Sequence, residues 1–167
     1  AEGAYEELDT ADNGYLATWI HADEVGRKQL DTVGREQELF EGRTIHLLQE
    51  LLPQHSQIVV ANSMSIRDMD YFWSGNRHSA IIYGNRGVNG IDGTVSTALG
   101  IATNGMPTVL LTGDLTFFHD LNGLAVAKTH PLNVTIIVHN NDGVAFLNIC
   151  RKRERRILIT YLVPHKA

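Results

Sequence analysis

Two short stretches of this chain carry oxygen donors at a spacing that could hold a metal-bound diphosphate: Gly113-Asp114 and Asn140-Asn141-Asp142-Gly143. A hard cation such as Mg²⁺ takes about six oxygen ligands in octahedral geometry, commonly one or two from protein and the rest from phosphate and water. The Asp114 carboxylate, the Asn141 amide oxygen and the Gly143 carbonyl would supply three. Glycine beside them lets the backbone approach a diphosphate closely. Taken singly, Gly-Asp and Asn-Asp-Gly are the composition of ordinary turns. The pair reads as a ligand site because each member follows an apolar, strand-like run. Asp114 and Asn141 are also 27 positions apart, the length of one strand–helix–strand crossover.

A second group of residues places positive charge where an anionic substrate could meet it. Arg67 closes the stretch Asn62-Ser63-Met64-Ser65-Ile66-Arg67, and Arg86 opens the run Arg86-Gly87-Val88-Asn89-Gly90-Ile91. A planar guanidinium grips a carboxylate through two parallel hydrogen bonds and does so better than lysine. Each of these residues also has a plainer reading. An arginine is most often a surface salt-bridge partner, Ser63 a helix N-cap, Asp92 a cap for the next helix, and Ile91 core. His119 is the one histidine in the loop after Asp114 and thus the candidate general acid–base; a helix-start histidine with a structural hydrogen bond is the preferred reading. The other seven of the eight histidines lack metal-ligand spacing, so no zinc site is expected. Asp120 and Asn122 are expected to settle the loop and helix start.

Parallel strands are the elements that would position these groups. Ile58 to Ala61, Ala80 to Tyr83, Thr108 to Thr112 and Val134 to Val138 are short, β-branched and not alternating, as in strands covered on both faces. Helix-length segments, Thr94 to Thr103 and His119 to Thr129, lie between the later strands. Upstream, Leu16 to Leu30 is weakly patterned as helix. Leu39 to Leu52 carries a broad apolar face that Pro53 stops. The expected fold class is α/β, a parallel sheet flanked by helices. In such sheets ligands gather at the carboxyl ends of strands. Arg67 and Arg86 follow the first and second strands, on that side.

Composition narrows the class further. At 167 residues, 43% hydrophobic and 20% charged, the chain can form one domain with a sizeable core. No apolar run reaches the roughly 20 residues of a membrane helix, and the acidic start has no signal-peptide pattern. A single cysteine, Cys150, excludes an internal disulfide and fits a reducing compartment, so a cytoplasmic location is expected. Of the 14 Lys and Arg and 19 Asp and Glu, residues 151–167 hold six basic side chains and one acid, which leaves a net of −10 before them. An acidic body is a poor partner for nucleic acid.

Three blocks together resemble one family. Gly113-Asp114 with Asn140-Asn141 looks like a thiamine-diphosphate (ThDP) motif in which the usual third glycine is Leu115. Gly113-Asp114-Leu115-Thr116-Phe117-Phe118-His119-Asp120-Leu121-Asn122-Gly123-Leu124, Asn62 to Asp68 and Asn85 to Gly93 are similar to the 2-succinyl-5-enolpyruvyl-6-hydroxy-3-cyclohexene-1-carboxylate synthases of menaquinone biosynthesis. The likeness is read from about Trp19 to Gly143. It implies a ThDP-binding fold and a transferase that decarboxylates 2-oxoglutarate and adds the resulting carbanion to isochorismate. It also implies a homodimer or homotetramer.

By the same resemblance Asp114, Asn141 and the Gly143 carbonyl bind Mg²⁺ or Mn²⁺. Gly113, Asp114, Leu115, Thr116 and Asn141 hold ThDP, and Ile91 sits beneath it. Ser63, Arg67 and Arg86 bind substrate carboxylates. The Glu that activates the cofactor in this family belongs to another domain, so no catalytic residue is expected in this chain, which alone is expected to be inactive. Residues 1–35 read as the end of an upstream domain or a linker helix, 36–143 as an incomplete diphosphate-binding domain, and 144–167 as an atypical tail with the composition of a shifted reading frame. A sheet cut short there would expose an edge and be marginally stable. The rival readings are another ThDP-dependent decarboxylase or acetolactate-type synthase, and a non-catalytic ThDP/Mg-binding fragment.

Overall fold

The computed structural model describes residues 14–35, 40–75 and 79–141 in full and 156–162 through their backbone. Its elements in chain order are α1 (Tyr15–Gly34), α2 (Glu41–Leu51), β1 (Gln57–Val60), α3 (Met64–Phe72), β2 (Ile81–Gly84) and α4 (Thr94–Ile101). Then follow a 3-10 turn (Ala102–Asn104), β3 (Thr108–Gly113), α5 (Asp114–His119), a 3-10 segment (Leu121–Lys128), β4 (Val134–Asn140) and β5 (Arg156–Leu162). The sheet order is β2-β1-β3-β4-β5, with the first four strands parallel and β5 antiparallel to β4.

The apolar runs of β1, β3 and β4 become strands because both faces of the sheet are covered there; β2, also expected to be covered on both faces, is largely exposed at the sheet edge. Side chains alternate along a strand, so Ile58 and Val60 of β1 and Val109 and Leu111 of β3 join Ile45, Leu48 and Leu52 of α2 and Met69 of α3 in one core layer. Val59, Leu110, Ile136 and Val138 point the other way, onto Val95, Ala98 and Leu99 of α4. Helix ends follow local chemistry. Pro53 stands just beyond the α2 C-cap, Leu52. Gly105, at φ 81°, ends the 3-10 turn in a conformation that disfavours side chains.

A helix, α3, starts directly after Ser63, where the N-cap reading of that serine puts a helix start. Two expectations change. The expected helix from His119 to Thr129 is instead α5, which His119 ends, and a 3-10 segment. The break falls at Asp120, whose carboxylate turns away to accept hydrogen bonds from Ser96 N at 2.7 Å and Ser96 Oγ at 3.0 Å. Gly123 packs so close that a Cβ there would lie 2.6 Å from Ser96 Oγ. The expected parallel sheet forms from β1 to β4, and β5 adds to it in the antiparallel sense. β5 pairs along the whole of β4, from Val134 with Leu162 to Asn140 with Arg156, so the edge expected to be open at β4 is paired. The edge strands are β5 and β2, and on β2 Ile81 and Ile82 are exposed.

Helix α1 is mostly exposed and meets the body near its C-terminal end, where Arg43 Nη1 donates to Gly34 O at 3.1 Å. No helix among the described residues is long and apolar enough to cross a membrane.

Candidate functional site at the carboxyl edge of the sheet

The chain runs from β1 outward to β2, then crosses back to β3 on the other side of β1. That reversal opens a crevice beyond the carboxyl ends of β1 and β3, where open α/β sheets bind ligands. All the candidate residues among those described follow a parallel strand on this edge or lie within the next helical turns.

Gly113 at the end of β3 is in register with His139 of β4. Asp114 therefore leaves the sheet beside Asn140 and Asn141, on strands about 4.8 Å apart. Asp114 starts α5 and accepts a hydrogen bond from Leu115 N at 2.8 Å; the residue is half-buried, as are Asn140 and Asn141. Thr116 is buried, whereas Leu115 and Phe118 are 55% and 76% exposed, an unusual state for large apolar side chains beside a polar site. Gly113 has φ −83°, which any residue adopts. No protein atom lies within 4 Å of where its Cβ would stand. Neither backbone nor packing demands glycine there; close approach of a ligand would. A carboxylate and an amide oxygen on adjacent strand ends suit a hard cation, so the residues present fit a metal-bound diphosphate. Gly143, the third expected ligand, lies outside the described residues, as do Asp142 and the tail from Val144 to Arg155.

The loops after β1 and β2 are tied together far more firmly. Asn62, two residues past β1 and 3% exposed, donates from Nδ2 to Asn85 O at 3.0 Å and to Gly90 O at 2.5 Å. Its Oδ1 accepts Arg86 Nη1 at 2.9 Å. Asn85 Nδ2 in turn donates to Thr97 Oγ1 of α4 at 3.3 Å. Arg86 is exposed, and its stem folds back over the end of β2, where a Cβ on Gly84 would meet Arg86 Cγ at 3.4 Å. Ile91 is half-buried next to Gly90 and offers its carbonyl to Thr94 Oγ1 at 3.4 Å.

Arg67 lies one turn into α3, exposed, with Nη1 donating to Ser63 O at 2.6 Å. Ser63 stands at the α3 N-cap position, yet makes no side-chain cap bond, and its backbone is held at φ 68°, ψ −127°. Such a conformation in a non-glycine residue costs roughly 1–3 kcal/mol and clusters at functional sites. Asp92 does not cap α4 either: Gly93 is the N-cap, and the carboxylate that reaches α4 is that of Asp120. His119 is exposed at the end of α5. Asn62 is the functional candidate that sequence alone does not single out; its only signal there is an asparagine directly after an apolar strand run.

A model of the family "Thiamine pyrophosphate enzyme, C-terminal TPP binding domain" matches residues 60–154. The chain is 49% identical over 160 residues to the 2-succinyl-5-enolpyruvyl-6-hydroxy-3-cyclohexene-1-carboxylate synthase of Desulfitobacterium hafniense, covering 95% of this chain and 29% of that protein. It is 51% identical over 156 residues to the enzyme of the same name from Lactococcus lactis subsp. cremoris, covering 92% of this chain and 28% of that one. The chain thus spans less than a third of the length of these relatives. A solved structure described as a thiamin diphosphate-dependent enzyme from Mycobacterium smegmatis superposes with a TM-score of 0.51 at 20% identity, over 63% of this chain and 21% of that one, a likeness of fold. The family match ends at residue 154 and the first alignment takes in 95% of the chain. The resemblance therefore runs past Gly143, where the motif reading ended it.

Proposed function

This chain belongs to the thiamine pyrophosphate enzymes through their C-terminal TPP binding domain, and from that premise we propose that it is the diphosphate-binding part of a ThDP- and Mg²⁺-dependent 2-succinyl-5-enolpyruvyl-6-hydroxy-3-cyclohexene-1-carboxylate synthase. The reaction would be decarboxylation of 2-oxoglutarate and addition of the resulting succinyl unit to isochorismate. The observation that carries the reading is the β3–β4 register, which brings Asp114 beside Asn140 and Asn141 at the mouth of the crevice. Residues 36–143 would form the cofactor-binding domain, with 1–35 belonging to a preceding domain or its linker helix.

Asp114, Asn141 and the Gly143 carbonyl would hold Mg²⁺ or Mn²⁺. Gly113, Asp114, Leu115, Thr116 and Asn141 would hold the diphosphate, and Ile91 would support the cofactor from below. Bound ThDP supplies an electron sink for the decarboxylation. The chain's own residues position and neutralise anions. Both substrates are polyanions, and Ser63, Arg67 and Arg86 lie along one edge of the crevice mouth where carboxylates would enter. Arg86 is already oriented by Asn62, and the strained Ser63 backbone is the mark of a site shaped for something other than stability. The whole enzyme would be a cytoplasmic homo-oligomer, with the cofactor-activating Glu contributed from outside this chain.

Titration calorimetry of the chain with ThDP and Mg²⁺ tests cofactor binding, and a product assay of the full-length enzyme with 2-oxoglutarate and isochorismate tests the reaction. Absence of Mg²⁺-dependent ThDP binding by the full-length enzyme would overturn the cofactor reading. Turnover of pyruvate in place of 2-oxoglutarate would reassign the enzyme to the acetolactate-type synthases.

A further inference from the structure

We propose that Asn62 is a positioning residue that holds Arg86 and the Gly90–Ile91 turn in a fixed relation while leaving the Arg86 charge available to a carboxylate. The inference rests on the reading of Arg86 as a substrate-carboxylate ligand, and it explains why a buried amide stands at the switch point of the sheet.

The partners of Asn62 dictate its chemistry. Its Nδ2 faces two backbone carbonyls, Asn85 O and Gly90 O, which can only accept. Its Oδ1 faces the Arg86 guanidinium, which can only donate. The amide therefore has one permitted orientation, because a flipped amide would set oxygen against two carbonyls and NH₂ against guanidinium. With the residue 3% exposed, the Asn62 end of each bond is withdrawn from water. Three sites on the loop from Asn85 to Gly90 are thereby referred to one atom group anchored two residues past β1. Gly90 O immediately precedes Ile91, so the same amide sets where Arg86 and Ile91 stand relative to each other.

Neither a carboxylate nor an apolar side chain fits all three demands. An aspartate would hold Arg86 more strongly but would repel both carbonyls and neutralise the guanidinium, which then could not attract a substrate carboxylate. A leucine or alanine would leave the Asn85 and Gly90 carbonyls and the arginine without this partner. A neutral acceptor orients the cation and preserves its charge.

The test uses the full chain with ¹⁵N side-chain NMR and 2-oxoglutarate calorimetry. In the unaltered protein the Asn62 side-chain amide protons should exchange with solvent far more slowly than those of exposed asparagines, and an ordered Arg86 guanidinium signal should be seen. Exchange of the Asn62 amide at the exposed rate overturns the proposal without any variant. In Asn62→Ala the Arg86 signal should broaden or vanish and the Ile91 amide should shift. In Asn62→Asp the Arg86 signal should persist while Ile91 still shifts, and 2-oxoglutarate binding should weaken. For binding, Asn62→Ala and Arg86→Ala should each weaken 2-oxoglutarate by about tenfold, and the double variant should lose no more than Arg86→Ala alone. Additive losses overturn the idea, since a merely structural asparagine would act independently of Arg86. If the unaltered chain and the full-length enzyme both fail to bind 2-oxoglutarate, the substrate reading falls, and the exchange and Arg86 signals still decide whether Asn62 is the pin.

Discussion

The two ends of β1 carry buried amides that do opposite work. At its start, Gln57 is 1% exposed. It donates to Asn104 Oδ1 and Thr108 Oγ1, each at 3.1 Å, and accepts from Asn104 Nδ2 at 2.9 Å. Tyr83 Oη also donates to Gln57 Oε1 at 3.5 Å, and the cluster is tied to the turn backbone, Met106 N donating to Asn104 Oδ1 and Thr108 Oγ1 donating to Met106 O, each at 3.0 Å. Just past the other end, Asn62 uses its amide on the backbone of a loop and on an exposed arginine. The amino edge is sealed by polar groups that satisfy one another. The carboxyl edge spends the same chemistry on holding groups that face outward. Beside it, Leu115 and Phe118 are left exposed and a glycine is kept where the protein itself needs none. On the proposed reading, structural and ligand-facing polar groups divide between the two ends of one strand, in keeping with the position of ligand sites in open α/β sheets.

The contrast can be broken by substitution at either end. The largest effect is expected at Asp114→Ala, which should weaken Mg²⁺-dependent ThDP binding by about 100-fold or more, on the order of 3 kcal/mol, while unfolding stability changes by less than about 1 kcal/mol. Calorimetry with urea melts of the same protein separates the two, and a large loss of stability with intact binding would reverse the assignment of the two edges. Gln57→Ala should do the converse: a loss of about 2 kcal/mol in stability, from the lost hydrogen bonds and packing of a fully buried side chain, and ThDP affinity unchanged within about threefold. Asp120→Ala, which removes the carboxylate from the first turn of α4, should cost about 1 kcal/mol, read as a lower urea midpoint at unchanged slope. The smallest shift is expected at Ser63→Gly, where relief of the positive φ should leave the protein as stable or up to about 1 kcal/mol more stable, with weaker 2-oxoglutarate binding in the full-length enzyme. If that variant is clearly less stable, Ser63 is a structural residue and not a strained site residue.

Much of this was legible in the sequence. Apolar runs such as Ile58-Val59-Val60 and Val134 to Val138 announce buried strands through residue type and length alone, and the strands formed within a residue or two of those runs. Gly113-Asp114 and Asn140-Asn141 could be paired because a crossover has a characteristic length. The stretch from Asp114 to Lys128 was less legible. Its helical propensity runs through Asp120, and only the contact of that carboxylate with Ser96, 24 residues away, explains the break. β5 escaped because a basic run precedes it, and antiparallel pairing with β4 depends on a partner edge that no local pattern reveals.

By itself the sequence determined the fold class, the side of the sheet on which chemistry would gather, and the residue types available for it, because these follow from hydrophobic period, turn composition and spacing. Tertiary structure decided the strand order that makes β1 and β3 flank the crevice, the register that sets Asp114 against Asn140 and Asn141, and the role of Asn62. Those depend on hydrogen bonds between groups that are distant along the chain, such as Asn62 and Gly90, 28 residues apart, and no property of either residue alone encodes the meeting.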